Sequence, residues 1–307
     1  MARENQSIVT EFTFQGLSSQ PRTQSVLFLV FLALYLCAVL GNMLIIAVIR
    51  ADCQLRSPMY FLLANLSFVD ICYISSYVPQ MLVNLFTKKR TISFSRCAAQ
   101  MYFSLAFGMT ECVLLGVMAY DRYLAICHPL LYSTAINSKV CIQMLLACWI
   151  SGLLSSMVIN SLTLQLPFCT YGILNHYYCE VQAVLALACA DTAHMELLIS
   201  TFSILIVLIP FLLIITSYAH ILAASLKIQS AHGQHKSLST CGSHLMVVTL
   251  YYGSGFCIYM NPTSRPPQDT DKVLALFYTI VVPVLNPLIY SLRNKEMKCA
   301  IRRVMSR

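Results

Sequence analysis

The chain has 307 residues, 58% of them hydrophobic and only 10% charged, with 12 acids against 20 bases. Soluble proteins carry roughly a quarter charged residues, so this composition excludes a water-soluble globular protein and makes lipid the main solvent. No nucleic-acid partner is expected. Residues 1–24 are polar, with Glu4, Glu11 and Arg22, and lack the apolar core of a cleavable signal peptide. They are expected to lie outside the membrane. The apolar run at 25–49 is long enough to span it and to act as a signal anchor.

A spanning helix needs about 20 mostly apolar residues. By that measure the chain offers seven: 25–49, 58–83, 98–122, 140–160, 196–222, 239–260 and 272–292. The third is the least apolar, and glycines and hydroxyls interrupt the sixth, so both are expected to face protein or cavity rather than lipid. No internal repeat of the kind common in transporters is visible. The fold class is an all-α membrane protein. A seven-helix bundle occupies 25–292, and 293–307 forms a cytoplasmic tail with a short interfacial helix.

With seven spans the two ends lie on opposite sides. Arg50, Arg56, Lys139, Lys227 and Lys236 share a side with the basic tail, and this excess points to a cytoplasmic carboxyl terminus and an outside amino terminus. Lys88-Lys89-Arg90 runs against a strict reading. Asn5-Gln6-Ser7 is a glycosylation sequon in the proposed outside end. Of fourteen cysteines, Cys97, Cys169, Cys179 and Cys189 fall on that side. Four cysteines in an oxidising compartment suggest two bridges with three connectivities.

Several stretches carry chemistry. Asn42 puts an amide in mid-span, where it needs a partner on another helix. Leu55-Arg56-Ser57-Pro58-Met59-Tyr60 opens the second span, with Pro58 suited to a first helical turn. Asp70 sits in the middle of that span, and Glu111 in the third, three turns before Arg122. An acid near the membrane centre costs ~3 kcal/mol, which makes each a functional hypothesis. Facing acids repel, and either a cation between them or a hydrogen-bonded packing network would relieve this. The third span closes on Met118-Ala119-Tyr120-Asp121-Arg122-Tyr123-Leu124-Ala125-Ile126-Cys127-His128-Pro129. There an acid beside a base partly neutralises the guanidinium, and a partner that draws Arg122 away changes the charge balance.

Lys236-Ser237-Leu238-Ser239-Thr240-Cys241-Gly242-Ser243-His244-Leu245 leads into the sixth span, where Tyr251-Tyr252-Gly253 follows. The seventh carries Pro283-Val284-Leu285-Asn286-Pro287-Leu288-Ile289-Tyr290, whose prolines remove backbone donors and kink the helix. Beyond it, Met297, Ile301 and Val304 recur at helical spacing among Lys298, Arg302 and Arg303, a pattern suited to anionic lipid.

Met-Ala-Tyr-Asp-Arg-Tyr-Leu-Ala-Ile-Cys resembles the third-span end of rhodopsin-like G-protein-coupled receptors and, within them, the olfactory receptors. Four further motifs agree in order: the Leu55–Tyr60 stretch, the Lys236–Leu245 stretch, Tyr251-Tyr252-Gly253 and Pro283–Tyr290. Arg56 and Ser57 stand where that family has His and Thr, and Ser237 and Leu238 also depart from its pattern. The short loop between spans six and seven is similar to the tetrapod-type class.

The resemblance implies a plasma-membrane odorant receptor that binds a small volatile and works through a stimulatory olfactory-type heterotrimeric G protein, raising cyclic AMP. It implies that Asp121, Arg122, Tyr123, Tyr218, His244, Asn286, Pro287 and Tyr290 form the switch. It selects the disulfides Cys97–Cys179 and Cys169–Cys189. It also places Asp70, Glu111, Asn42 and Asn286 around one polar cavity, which a sodium ion fits because hard cations take oxygen ligands; no other cofactor is expected. The ligand site it implies lies in the outer half of the bundle, beneath the Cys179 loop. Candidates there are Ser104, Leu105, Gly108 and Met109 on one stripe of the third span, and Phe202, Ser203 and Ile206 on the fifth. Tyr252, Phe256 and Tyr259 follow at i, i+4, i+7 on the sixth, with Thr279 on the seventh. No charged residue lies on those stripes, so the ligand is expected to be neutral or weakly polar.

An enzyme is not expected. His176, Cys179 and Glu180 make no complete ligand set, and His232 and His235 sit in a polar loop. The rival reading is a cation-coupled transporter or channel, since intramembrane acids also fit a cation path.

Overall fold

The computed structural model describes residues 10–18, 20–168, 172–188, 193–227, 231–259 and 269–306; the side chains of 231–240, 257–259, 269–271 and 292–293 lie outside that description. Among the described residues, six helical segments are long and apolar enough to cross a membrane: Pro21–Ala51, Pro58–Phe86, Phe94–Cys127, Ser138–Leu164, Ala193–Leu226 and Lys272–Ser291. A further helix, Ala231–Tyr259, is long enough but more polar, and completes a seven-helix bundle.

The first span is α1 (Pro21–Ala51). The second is broken into α2 (Pro58–Ser75) and α3 (Val78–Phe86), because Pro79 brings no N–H to the ladder. The third is α4 (Phe94–Cys127), followed by α5 (Pro129–Ala135). The fourth is α6 (Ser138–Leu164), and the short α7 (Val181–Leu185) lies in the loop beyond it. The fifth is α8 (Ala193–Leu226) and the sixth α9 (Ala231–Tyr259). The seventh comprises α10 (Asp269–Leu276), a π-helical turn at Phe277–Val281 and α11 (Val282–Arg293). The tail helix α12 covers Lys295–Met305 and buries Met297 and Ala300.

Most helices overrun the apolar stretches from which the spans are read; the third runs over Phe94–Cys127 rather than 98–122. Caps and prolines, not the end of hydrophobicity, set the boundaries. Ser93 Oγ accepts from the Arg96 N–H at 3.4 Å and Asn137 Oδ1 from the Val140 N–H at 3.0 Å. Pro21, Pro58 and Pro129 begin their helices, where a missing N–H breaks no bond. The third span is the most buried of the six apolar ones, packed against α2, α6 and α8.

The fold is not purely helical. The amino-terminal segment expected to be only a polar end contributes β1 (Glu11–Phe14), the centre of a three-stranded sheet. It runs antiparallel to β2 (Thr91–Ser93), pairing Phe12 with Ile92, and parallel to β3 (Ile173–Leu174), pairing Phe14 with Leu174. Alternation turns Phe12 and Phe14 inward, and the Phe12 ring lies 5.9 Å from Phe94 and 6.0 Å from Phe168. A disulfide joins Cys97 to Cys179 with a Cα–Cα distance of 5.5 Å, tying the loop to the outer end of the third span. Asn5, Cys169 and Cys189 lie outside the described residues; next to the latter two, Phe168 and Ala188 form an antiparallel bridge.

Candidate functional site

The half of the bundle nearer the disulfide holds an apolar cluster beneath the disulfide-tied loop. Met109, Ile159 and Ile199 are buried together, with Leu105, Phe202 and Ile206 packed against them. The roof is α7, which sends Val181 and Leu185 into the same cluster. Four of the residues expected in the pocket, on spans three and five, therefore meet. The contribution of α7 was not legible, because a five-residue helix leaves no periodicity to read.

The hydroxyls on these stripes are already engaged. Ser104 donates to the Met101 carbonyl at 3.2 Å and Ser203 to the Ile199 carbonyl at 2.7 Å, both within their own helices. On the sixth span the structure corrects the expected stripe. Phe256 is turned outward and is 64% exposed. The inward line of α9 is set by Tyr251, which donates to the Gly108 carbonyl at 2.6 Å, and Tyr252, which reaches the Cys112 carbonyl at 3.1 Å. Their mean direction lies about 90° from residue 256 at roughly 100° per residue. Gly255 shares that inward line, and among the described residues nothing stands within 4 Å of a Cβ placed there. The Tyr259 side chain lies outside the described residues.

At the outer end of the seventh span, Thr279 is fully buried, and its hydroxyl donates to the Ala275 carbonyl at 2.7 Å. The Tyr177 hydroxyl, 3.0 Å away, donates to Thr279 in turn. Tyr278 donates to Glu180 at 2.9 Å and accepts from Tyr178 at 2.9 Å. The loop residue His176 places Nε2 3.1 Å from the Glu180 carboxylate, while its Nδ1 accepts the Tyr178 N–H at 3.5 Å. Burial and the charge of Lys272 pull the His176 pKa down to about 3, despite the neighbouring carboxylate, so the ring is neutral. Lys272 is itself buried and donates to the Gly16 carbonyl at 3.2 Å, pinning the amino-terminal strap.

Mid-bundle, Asp70, Glu111 and Asn286 are buried together. Asn286 Nδ2 donates to Asp70 Oδ2 at 2.9 Å. The remaining oxygens, Asp70 Oδ1, both of Glu111, Asn286 Oδ1 and Asn42 Oδ1, have no hydrogen-bond partner. The set is rich in acceptors and poor in donors, a chemistry that suits a hard cation. No group of three or more His, Cys, Asp or Glu stands together among the described residues.

At the end of the bundle away from the disulfide, Asp121 is buried and accepts the Tyr132 hydroxyl at 2.8 Å. Asp121 Oδ2 and Arg122 Nε are buried without a hydrogen-bond partner, so these chain neighbours do not satisfy one another through those atoms. Tyr218 and His244 meet at 2.6 Å between hydroxyl and Nδ1, and with Tyr290 they lie within electrostatic reach of Arg122. Tyr123 turns to His128 at 3.0 Å. Pro287 packs on the first span, where a Cβ on Gly41 would come within 3.0 Å of its ring. Sequence reading missed Tyr132, whose only signal is its place one turn after Pro129. Beside it, Leu130 is 93% exposed.

A family model described as olfactory receptor matches residues 31–307. The chain is 48% identical to olfactory receptor 2D2 of Homo sapiens, over all of this chain and 99% of that protein. It is 47% identical to olfactory receptor 5AR1 of Mus musculus, over all of this chain and 99% of the relative. Identity to olfactory receptor 2K2 of Homo sapiens is also 47%, covering 97% of that protein.

Proposed function

The chain belongs to the olfactory receptor family, and from that premise we propose that it binds a small neutral volatile in the outer half of the bundle and answers through a stimulatory olfactory-type heterotrimeric G protein, raising cyclic AMP. The observation that carries the ligand class is the cluster of Leu105, Met109, Phe202 and Ile206 around buried Ile159 and Ile199, beneath α7. Apolar walls with few polar groups recognise a mostly apolar molecule. Room beside Gly255 and the Tyr251 and Tyr252 hydroxyls supply the polar end of the site.

Coupling is assigned to the cytoplasmic group. Arg122 lies among Tyr218, His244 and Tyr290, and ligand would favour the population in which the sixth span leaves Arg122 and a cleft opens to the G protein. Leu130, the most exposed of the large apolar side chains among the described residues, offers that partner an anchor. The receptor sits in the plasma membrane with its amino terminus outside, a reading supported by the disulfide at the same end of the bundle as the strap. Asp70, Glu111 and Asn286 fit a sodium ion by their free oxygens; when bound, it would neutralise the paired acids.

The test is an odorant panel read as cyclic AMP in transfected cells, with Arg122→Ala compared at matched surface expression. Neutral alcohols, esters or ketones should activate the wild type and leave the mutant silent. Full signalling by Arg122→Ala, or a strong carboxylate or amine as best agonist, would sink the reading. Cation flux in proteoliposomes without any nucleotide exchange would favour the transporter or channel instead.

A further inference from the structure

The seventh span contains two prolines four residues apart, Pro283 and Pro287. In an α-helix each N–H serves the carbonyl four residues before it, and proline has none to give. The carbonyl of Thr279 therefore loses its donor at Pro283, and that of Pro283 loses its donor at Pro287. Both orphans are served from other spans. The Asn42 amide donates to the Pro283 carbonyl at 3.1 Å. The Tyr77 hydroxyl donates to the Thr279 carbonyl.

Thr279 also sits inside the π-helical turn Phe277–Val281, where the helix carries a wider register than on either side. Tyr77 stands at the break of the second span, between α2 and α3, and is fully buried. Its ring lies 5.1 Å from Tyr178 and 5.4 Å from Tyr73. The loop that roofs the ligand cavity thus touches the π turn twice, through Tyr177 on the Thr279 hydroxyl and through Tyr178 on Tyr278. It also packs on the residue that serves the Thr279 carbonyl.

We propose that Tyr77 is a positioning residue of the receptor's response: its hydroxyl replaces the N–H that Pro283 lacks, holds the π turn in its resting register, and passes movement of the roofing loop to the seventh span. Release of the bond strands a buried carbonyl that α geometry cannot serve, because Pro283 has no N–H, so relief requires the turn to change register toward the next donor, Val284. A change of one residue in register rotates the remainder of the span by about 100°, and Asn286, the partner of Asp70, lies in that remainder on α11. The inference rests on the receptor reading for its meaning, and on Tyr77, Thr279 and Pro283 for its geometry.

The test uses the full-length receptor in lipid nanodiscs for hydrogen–deuterium exchange, and transfected cells without odorant for cyclic AMP. Tyr77→Phe should speed exchange across residues 277–290 roughly tenfold, from the cost of a stranded carbonyl, and leave 98–120 as in wild type. It should raise ligand-free cyclic AMP severalfold at matched surface expression. Pro283→Ala supplies the missing N–H, so in that background Tyr77→Phe should change neither measurement. Three results would overturn the proposal: unchanged exchange at 277–290, an equal effect of Tyr77→Phe with and without Pro283, or faster exchange with unaltered ligand-free signalling. A receptor silent to every odorant would count against the proposed function alone, because the exchange measurement reads Tyr77 without a G protein.

Discussion

The side-chain oxygen of Gln100 accepts the backbone N–H of Cys179 at 2.9 Å. The other end of the same amide donates to the Ser76 carbonyl at 3.2 Å, at the break in the second span. One side chain on the third span therefore fastens both the roofing loop and the bend beside it. Gln100→Leu leaves a buried donor and a buried acceptor unserved, at ~1–3 kcal/mol each. The purified protein should melt several degrees lower, while Gln100→Glu, which keeps the acceptor, should lie between. A leucine variant that melts with the wild type would show that neither contact matters.

Helix contact makes a second prediction. A Cβ on Gly152 would collide with Thr110 Oγ1 and stand 2.7 Å from the Ala106 carbonyl, so the fourth span meets the third through a glycine face. Gly152→Ala forces the two helices apart and should cost ~1–3 kcal/mol, read as lost thermal stability and surface expression. Among the described residues nothing stands within 4 Å of a Cβ placed on Gly253, so Gly253→Ala should be neutral or slightly stabilising. Equal effects from the two changes would refute the packing argument.

His176 gives a pH dependence whose sign is fixed. The unfolded imidazole titrates near 6.5, and the folded one is held down to about 3. Between those values the unfolded chain binds a proton that the folded loop refuses. Stability from this group is full above 6.5 and declines as pH falls toward 3, by up to ~1.4 kcal/mol per pH unit. Melting at pH 5 and pH 7.5 should differ more in wild type than in His176→Gln, which keeps a donor for Glu180. Identical slopes would show that His176 does not set the pH response.

The buried acids make the fourth. Sodium that binds only the folded receptor raises its stability, by ~2.7 kcal/mol at a hundred times the dissociation constant. Wild-type melting should climb along a sodium titration balanced with choline, and Asp70→Asn and Glu111→Gln should each flatten the curve. If both mutants follow the wild type, the cavity is a hydrogen-bonded packing network.

Six of the spans were legible because lipid demands long apolar runs, and the Cys97–Cys179 pairing came with the resemblance. What escaped was short or depended on distant partners. Strands of four, three and two residues have no readable period, and β1 exists only because β2 and β3 are held beside it. The orphaned carbonyls of Thr279 and Pro283 follow from the proline spacing alone, but nothing near them in the chain says that Tyr77 and Asn42 serve them. Phe256 was misplaced because the stripe was anchored on Tyr252, when Tyr251 and Tyr252 share the inward direction.

The polarity of α9 has a consequence for how the molecule is made. Among the described residues six helical segments are long and apolar enough to cross a membrane, and the sequence of Ala231–Tyr259 is more polar than theirs. Partners already in the bilayer favour the entry of such a helix by covering its polar groups. Its bonds to Gly108, Cys112 and Tyr218 show who those partners are. Insertion of the sixth span is therefore helped by the third and fifth. Variants that loosen these three contacts should accumulate in the endoplasmic reticulum with a misrouted tail, a defect of biogenesis rather than of signalling.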